Sequence, residues 1–132
     1  MKKLLIIITI VFFYSCNGQN CNKLPKTFES YEQTKEMVQS STFEYRKKID
    51  LSSSSWMTWA EYLSCDGEIG FFIFKTNKGK TYIHEKVPMT VWNEFNSAES
   101  KGNYYSKNIR GKFRLVPLKK SKEKRTQTDI ER

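Results

Sequence analysis

The chain has 132 residues, 23 Lys and Arg against 14 Asp and Glu, one histidine and three cysteines, giving a formal net charge of +9. A single histidine excludes a multi-histidine metal centre, and no CxxC spacing exists to supply a cysteine zinc site. Residues 16–100 carry ten basic and eleven acidic side chains, whereas residues 101–132 carry eleven basic and three acidic, so the positive surplus sits at the C-terminal end and points to polyanionic partners.

The first element is a leader. Met1-Lys2-Lys3 is a short basic start, and LLIIITIVFFY (residues 4–14) is an uncharged, mostly apolar run. That layout is a secretory signal over residues 1–15. As a helix, eleven residues reach about 16 Å, far less than the roughly 30 Å hydrocarbon core of a bilayer. FYSC (residues 13–16) resembles a bacterial lipobox, with Phe13 and Tyr14 where a leucine and a small residue are usual, and SCNGQ resembles lipoprotein signals common in Bacteroidetes. The expectation is lipid modification of Cys16 and export to the cell envelope, facing the periplasm. Two or more acyl chains would make that anchoring stable. Setting Cys16 aside leaves Cys21 and Cys65 in an oxidising compartment, where they either form a disulfide closing a long loop or remain two free thiols.

Residues 16–26 read as the lipidated cysteine and a polar tether. Thr27 as N-cap predicts a helix to about Gln39, with Phe28, Tyr31 and Val38 sharing a face. Phe43, Tyr45 and Ile49 alternate with Glu44, Arg46 and Lys48, which predicts a strand with one buried face. A serine-rich connection (51–55) leads to a strand over 56–65, and Asp66-Gly67 is a hairpin turn. IGFFIFK (69–75) is apolar on both sides, as a central strand must be. Asn77-Lys78-Gly79 turns the chain into a third strand over 81–85. Val87-Pro88 opens a helix that Gly102 closes, its buried stripe being Val91, Trp92, Phe95 and Ala98. Residues 103–110 read as a short further turn of helix or an ordered loop. Residues 112–118 read as an edge strand, since Pro117 cannot donate to a ladder. The fold class is therefore α+β: a small antiparallel sheet of three to five strands, packed by an N-terminal helix and by the helix after Val87-Pro88. One domain over 27–118 carries a basic tail, residues 119–132, whose composition is that of a disordered segment.

The chemistry of catalysis finds little support. A His84–Cys65 pair, or acids drawn from Asp66, Glu68 and Glu85, would be needed for a hydrolase, and nothing in their spacing selects them. KGNYYSKNIRGKFRL (101–115) is more informative. It sets Lys101, Lys107, Arg110, Lys112 and Arg114 among Tyr104, Tyr105 and Phe113, a mixture that contacts phosphates by charge and stacks rings on flat groups. The same aromatics also serve as core residues that hold this segment to the sheet.

Several pieces, in order, resemble the KTSC domain family over residues 54–113. They are Ser54-Ser55, Tyr62, Phe72-Ile73-Phe74-Lys75, Gly79, Tyr82-Ile83-His84, Val87-Pro88, Ala98-Glu99-Ser100-Lys101-Gly102, Tyr105 and Ile109-Arg110. The family's central Tyr-x-Tyr stands here as Tyr82-Ile83-His84. The resemblance implies a small α+β binding module with no established activity, found alone and at the C-terminus of some lysyl-tRNA synthetases, where RNA binding has been suggested. Together these readings lead to a non-catalytic envelope lipoprotein, held to the membrane through Cys16, without a cofactor or metal. Its module would meet an anionic envelope component or a protein partner at Tyr82, His84, Lys101, Tyr105, Lys107, Arg110, Lys112 and Arg114. The alternatives are a nucleic-acid-binding module, which the export signal disfavours, and a hydrolase.

Overall fold

The computed structural model describes residues 19–116. The expected signal peptide, the expected lipidation site Cys16 and the basic tail lie outside the described residues. Strands β3 (Tyr45–Asp50), β4 (Met57–Ser64), β5 (Ile69–Thr76) and β6 (Thr81–Pro88) form an antiparallel sheet in sequential order. A short parallel pair, β1 (Gln19–Asn20) with β2 (Ser41–Thr42), lies beside it. Helices α1 (Tyr31–Ser40), α2 (Met89–Ser97) and α3 (Lys101–Asn108) complete the α+β fold expected from the sequence.

The sheet is covered on both faces, and β5 shows why. Along FFIF the odd and even residues point opposite ways. Phe72 and Phe74 enter one core with Tyr62, Trp92, Phe95, Tyr105 and Ile109, so α2 and α3 close that face. Ile73 enters the other core with Val38 of α1, Leu63, Ile83 and Val116. This is the double burial of a central strand. Near Gly70 the β5–β6 register shifts, so that Glu85 and Lys86 oppose Phe71, and Lys86 takes a φ of +56°. Gly70 itself is forced by packing, since a Cβ there would lie 2.1 Å from the Leu63 carbonyl oxygen of the paired strand. Gly70→Ala is expected to destabilise by about 1–3 kcal/mol or more, measured by urea unfolding, because backbone rather than a side chain would have to yield.

Five boundaries differ from the sequence expectation; the third strand, expected over 81–85, runs on to Pro88 because Val87 and Pro88 still pair with Gly70 and Ile69. Helix α1 starts after Ser30, not Thr27. Ser30 Oγ accepts from the Gln33 N–H at 3.2 Å and Gln33 Oε1 accepts from the Glu29 N–H, a reciprocal cap that frees Phe28 to turn into the core against Phe71. The helix after Pro88 stops at Ser97 instead of running to Gly102. Ser100 Oγ then caps a new helix at the Asn103 N–H, so the expected loose turn over 103–110 is α3. Strand β3 is an edge strand with only Ile49 partly buried and Tyr45 exposed, not a strand with a buried face. Finally, the expected edge strand over 112–118 is reduced to one ladder pair, His84 with Leu115, flanked by Glu85 N–H to Arg114 O and Val116 N–H to Ile83 O; Pro117 and Leu118 lie outside the described residues.

Cys21 and Cys65 are joined, their Cα atoms 5.8 Å apart. Residues 19–23, expected as tether, are thus docked on the domain through β1 and this bond.

Candidate functional site

Strand β6 places Tyr82 and His84 on the face shared with Phe74, and α3 places Tyr105 over them. Phe74 stacks on Tyr82 at 5.2 Å and on His84 at 6.2 Å, and meets Tyr105 edge-on at 4.7 Å. After α3 the chain turns through Gly111, at a φ of +76°, and comes back along β6. Between this returning segment, α3 and the strand ends lies a cleft of about 720 Å³. Its aromatic lining is Trp56, Phe74, Tyr82, Tyr105 and Phe113, and its cations are Arg110, Lys112 and Arg114. Among the described residues no carboxylate lines it.

His84 locks the returning segment to α3. It is 2% exposed, and both ring nitrogens are engaged: Nδ1 lies 3.1 Å from the Phe113 carbonyl and Nε2 3.0 Å from the Tyr105 hydroxyl. A carbonyl only accepts, so Nδ1 carries the proton, and the Tyr105 O–H donates to Nε2. Burial lowers the His84 pKa, partly opposed by the Phe113 carbonyl. Burial likewise pushes the Tyr105 hydroxyl up to about 12, with the Arg110 guanidinium pulling the other way, so that hydroxyl keeps its proton at neutral pH.

The lock makes stability depend on pH, and the sign follows from linkage. A histidine whose folded pKa is depressed binds more protons when unfolded, between the folded value and the ordinary 6.5. Stability is therefore full above about 6.5 and falls as the pH drops through that window. His84→Gln is expected to flatten this part of the profile in urea melts at pH 7.5 and 5. An unchanged slope would locate the titration elsewhere. Tyr105→Phe, which leaves Nε2 buried without a donor, is expected to destabilise by about 1–3 kcal/mol.

Of the residues expected to bind, Tyr82, His84, Tyr105, Arg110, Lys112 and Arg114 converge on this cleft. Two do not. Lys101 lines a neighbouring cleft, its Nζ donating to the Ala98 carbonyl at 2.6 Å, and Lys107 is exposed and lines neither. Arg114 is ion-paired with the buried Glu85 at 2.9 Å, while Arg110 and Lys112 have no ion-pair partner among the described residues. The acids considered for hydrolysis are dispersed: Asp66 accepts the Glu68 and Ile69 N–H groups in the β4–β5 turn, and Glu85 serves Arg114. Among the described residues no three His, Cys, Asp or Glu side chains gather as a metal site.

Sequence reasoning missed Trp56, which shares the lining through its contacts with Phe74 at 5.8 Å and Tyr105 at 5.5 Å. Only the β4–β5 register, which sets Met57 opposite Thr76, brings it beside the cleft. Gly102 was read as a helix stop. It stands in the first turn of α3, where a Cβ would lie 2.4 Å from Trp56 Nε1.

Comparison with known proteins bears on the same region. Residues 72–113 match the KTSC domain model. A lysine–tRNA ligase of Trichormus variabilis is 47% identical over 42 residues, which is 32% of this chain, and the chain spans only 8% of that protein's length. The crystal structure of a KTSC domain protein from Yersinia pestis covers 56% of this chain and 99% of its own, at 26% identity and a TM-score of 0.47. The matched segment runs from Phe72 in β5 through β6, α2 and α3 to Phe113, and so includes most of the cleft's lining. The resemblance to the KTSC domain family is thus carried by residues 72–113 of this chain.

Proposed function

We propose that the chain is a non-catalytic binding module whose cleft beside α3 holds an anionic partner. The observation that carries this reading is the pairing of an aromatic floor with Arg110 and Lys112 at a rim that has no carboxylate among the described residues. Residues 101–116 contain five cations and no acid, so the local potential attracts anions before contact. The engaged nitrogens of His84 and the disulfide at Cys65 speak against a histidine–thiol nucleophile. The leader ahead of Cys16 supports export and lipid anchoring. With Gln19 already paired to Ser41, a lipid on Cys16 would hold the module within about 10 Å of the bilayer, three residues of extended chain. Anionic envelope material is then the partner within reach.

Isothermal titration with inorganic tripolyphosphate tests the reading. Affinity is expected to fall steeply between 50 and 200 mM salt, and Arg110→Ala with Lys112→Ala to weaken binding at least tenfold, about 1.4 kcal/mol. Salt-insensitive binding, or a double variant that binds unchanged, contradicts it.

The similarity to a lysine–tRNA ligase favours a second reading, a nucleic-acid strand in the same cleft with bases on Trp56 and Tyr82. Under that reading an octathymidylate binds more tightly than tripolyphosphate, and Tyr82→Ala lowers only the former.

A further inference from the structure

A second cleft, of about 660 Å³, lies on the other side of Trp56. Both clefts are lined by Trp56 and Ser106, so they adjoin along α3, and a ligand that passes over these two residues can reach both. Eight residues of helix rise about 12 Å, the length of a di- or trisaccharide.

The two clefts differ in charge. The first has Arg110 and Lys112 and, among the described residues, no acid. The second has Asp50 and Glu99, and its one cation among the described residues, Lys101, is turned to the Ala98 carbonyl. Asp50 is held below the usual carboxylate range by the Ser52 N–H, so it is ionised at neutral pH. A nucleic-acid strand carries a charge at every unit and would set a phosphate against those two carboxylates. A ligand anionic at one end and neutral but rich in hydroxyls at the other meets no such repulsion. The second cleft offers what hydroxyls require: Asp50 and Glu99 accept, while Ser53, Ser55 and Asn103 both donate and accept. Trp56 between the clefts provides a flat apolar surface for the C–H face of a sugar ring. Its indole N–H has no hydrogen-bond partner among the described residues and is not sealed in the core.

We infer that the adjoining clefts bind a phosphorylated oligosaccharide, with the phosphate at Arg110 and Lys112 and the sugar hydroxyls at Asp50, Glu99 and Asn103. This rests on the anion-binding reading of the first cleft and extends it to a ligand class.

The test is isothermal titration of the full chain with three probes: the phosphorylated oligosaccharide left by complete deacylation of lipopolysaccharide, the same oligosaccharide after phosphatase treatment, and inorganic phosphate. The intact oligosaccharide is expected to bind at least tenfold more tightly than either of the others. Glu99→Gln with Asn103→Ala is expected to abolish that advantage and leave phosphate binding unchanged; both side chains are exposed, so the fold is not at stake. Equal affinity for phosphate and oligosaccharide, or a double variant that behaves as the parent, overturns the inference while the anion site stands. An octathymidylate that outcompetes the oligosaccharide, and binds better still to Glu99→Gln, identifies nucleic acid instead. If phosphate binding is itself unaffected by Arg110→Ala and Lys112→Ala, the anion-binding reading falls with it.

Discussion

Phe72→Ala is expected to lower the unfolding free energy by about 3–5 kcal/mol, a large part of the 5–15 kcal/mol typical of a domain. Phe72 is fully buried at the middle of β5, paired with Tyr62 on one side and His84 on the other. Its ring meets Phe95 edge-on at 4.9 Å, Trp92 at 5.8 Å and Tyr105 nearly parallel at 6.3 Å. Truncation would leave a cavity walled by rigid rings, which collapse poorly around lost volume. The effect reaches the site because Tyr105 rests on Phe72 and holds His84. Anion affinity should fall even under conditions where the variant is folded. Phe72→Leu keeps most of the volume and is expected to lose distinctly less. A loss below about 1 kcal/mol in urea unfolding, at an unchanged m-value, would mean that the ring is not enclosed as described.

Removing the Cys21–Cys65 bond by Cys21→Ser with Cys65→Ser is expected to lower stability by about 4 kcal/mol. The sequence separation is 44 residues, and the chain-entropy relation gives that value for a loop of this length. The Cα distance of 5.8 Å is ordinary for a disulfide, so little native strain should offset the gain. The bond fastens the segment before α1 to the β4–β5 turn. Its loss should free residues 19–23 first, and hydrogen exchange at the β1–β2 amides should accelerate before the sheet does. A parent protein equally stable with and without reductant would contradict the pairing.

The sheet was legible because its signals are redundant. FFIF can be satisfied only between two apolar layers, and Gly67 and Gly79, with φ of +78° and +81°, punctuate the hairpins on either side. Val87-Pro88 marked the start of α2 because proline has no N–H to lose at a helix entrance. What failed was local competition between neighbouring signals. Two serines, Ser30 and Ser100, took the caps from Thr27 and from a helix running on to Gly102. Both outcomes depend on where Phe28 and Trp56 pack, which composition does not encode. The alternation of β6 and the basic run after Lys101 named eight candidate residues, of which six line one cleft. Trp56 was missed because it reaches the cleft only through the long-range β4–β5 pairing. His84 was expected as a ligand group, and its burial between the Phe113 carbonyl and the Tyr105 hydroxyl makes it first a structural clip.

The central claim is that the anion site is the cleft beside α3, not the charge of residues 101–132 at large. The most direct measurement is the ¹⁵N–¹H spectrum of the full chain titrated with pyrophosphate. The account predicts saturable shifts confined to the Trp56 indole N–H and the amides of Tyr105, Arg110, Gly111 and Lys112, lost in Arg110→Ala with Lys112→Ala. Non-saturating shifts spread over residues 119–132, with the cleft amides unmoved, would contradict it.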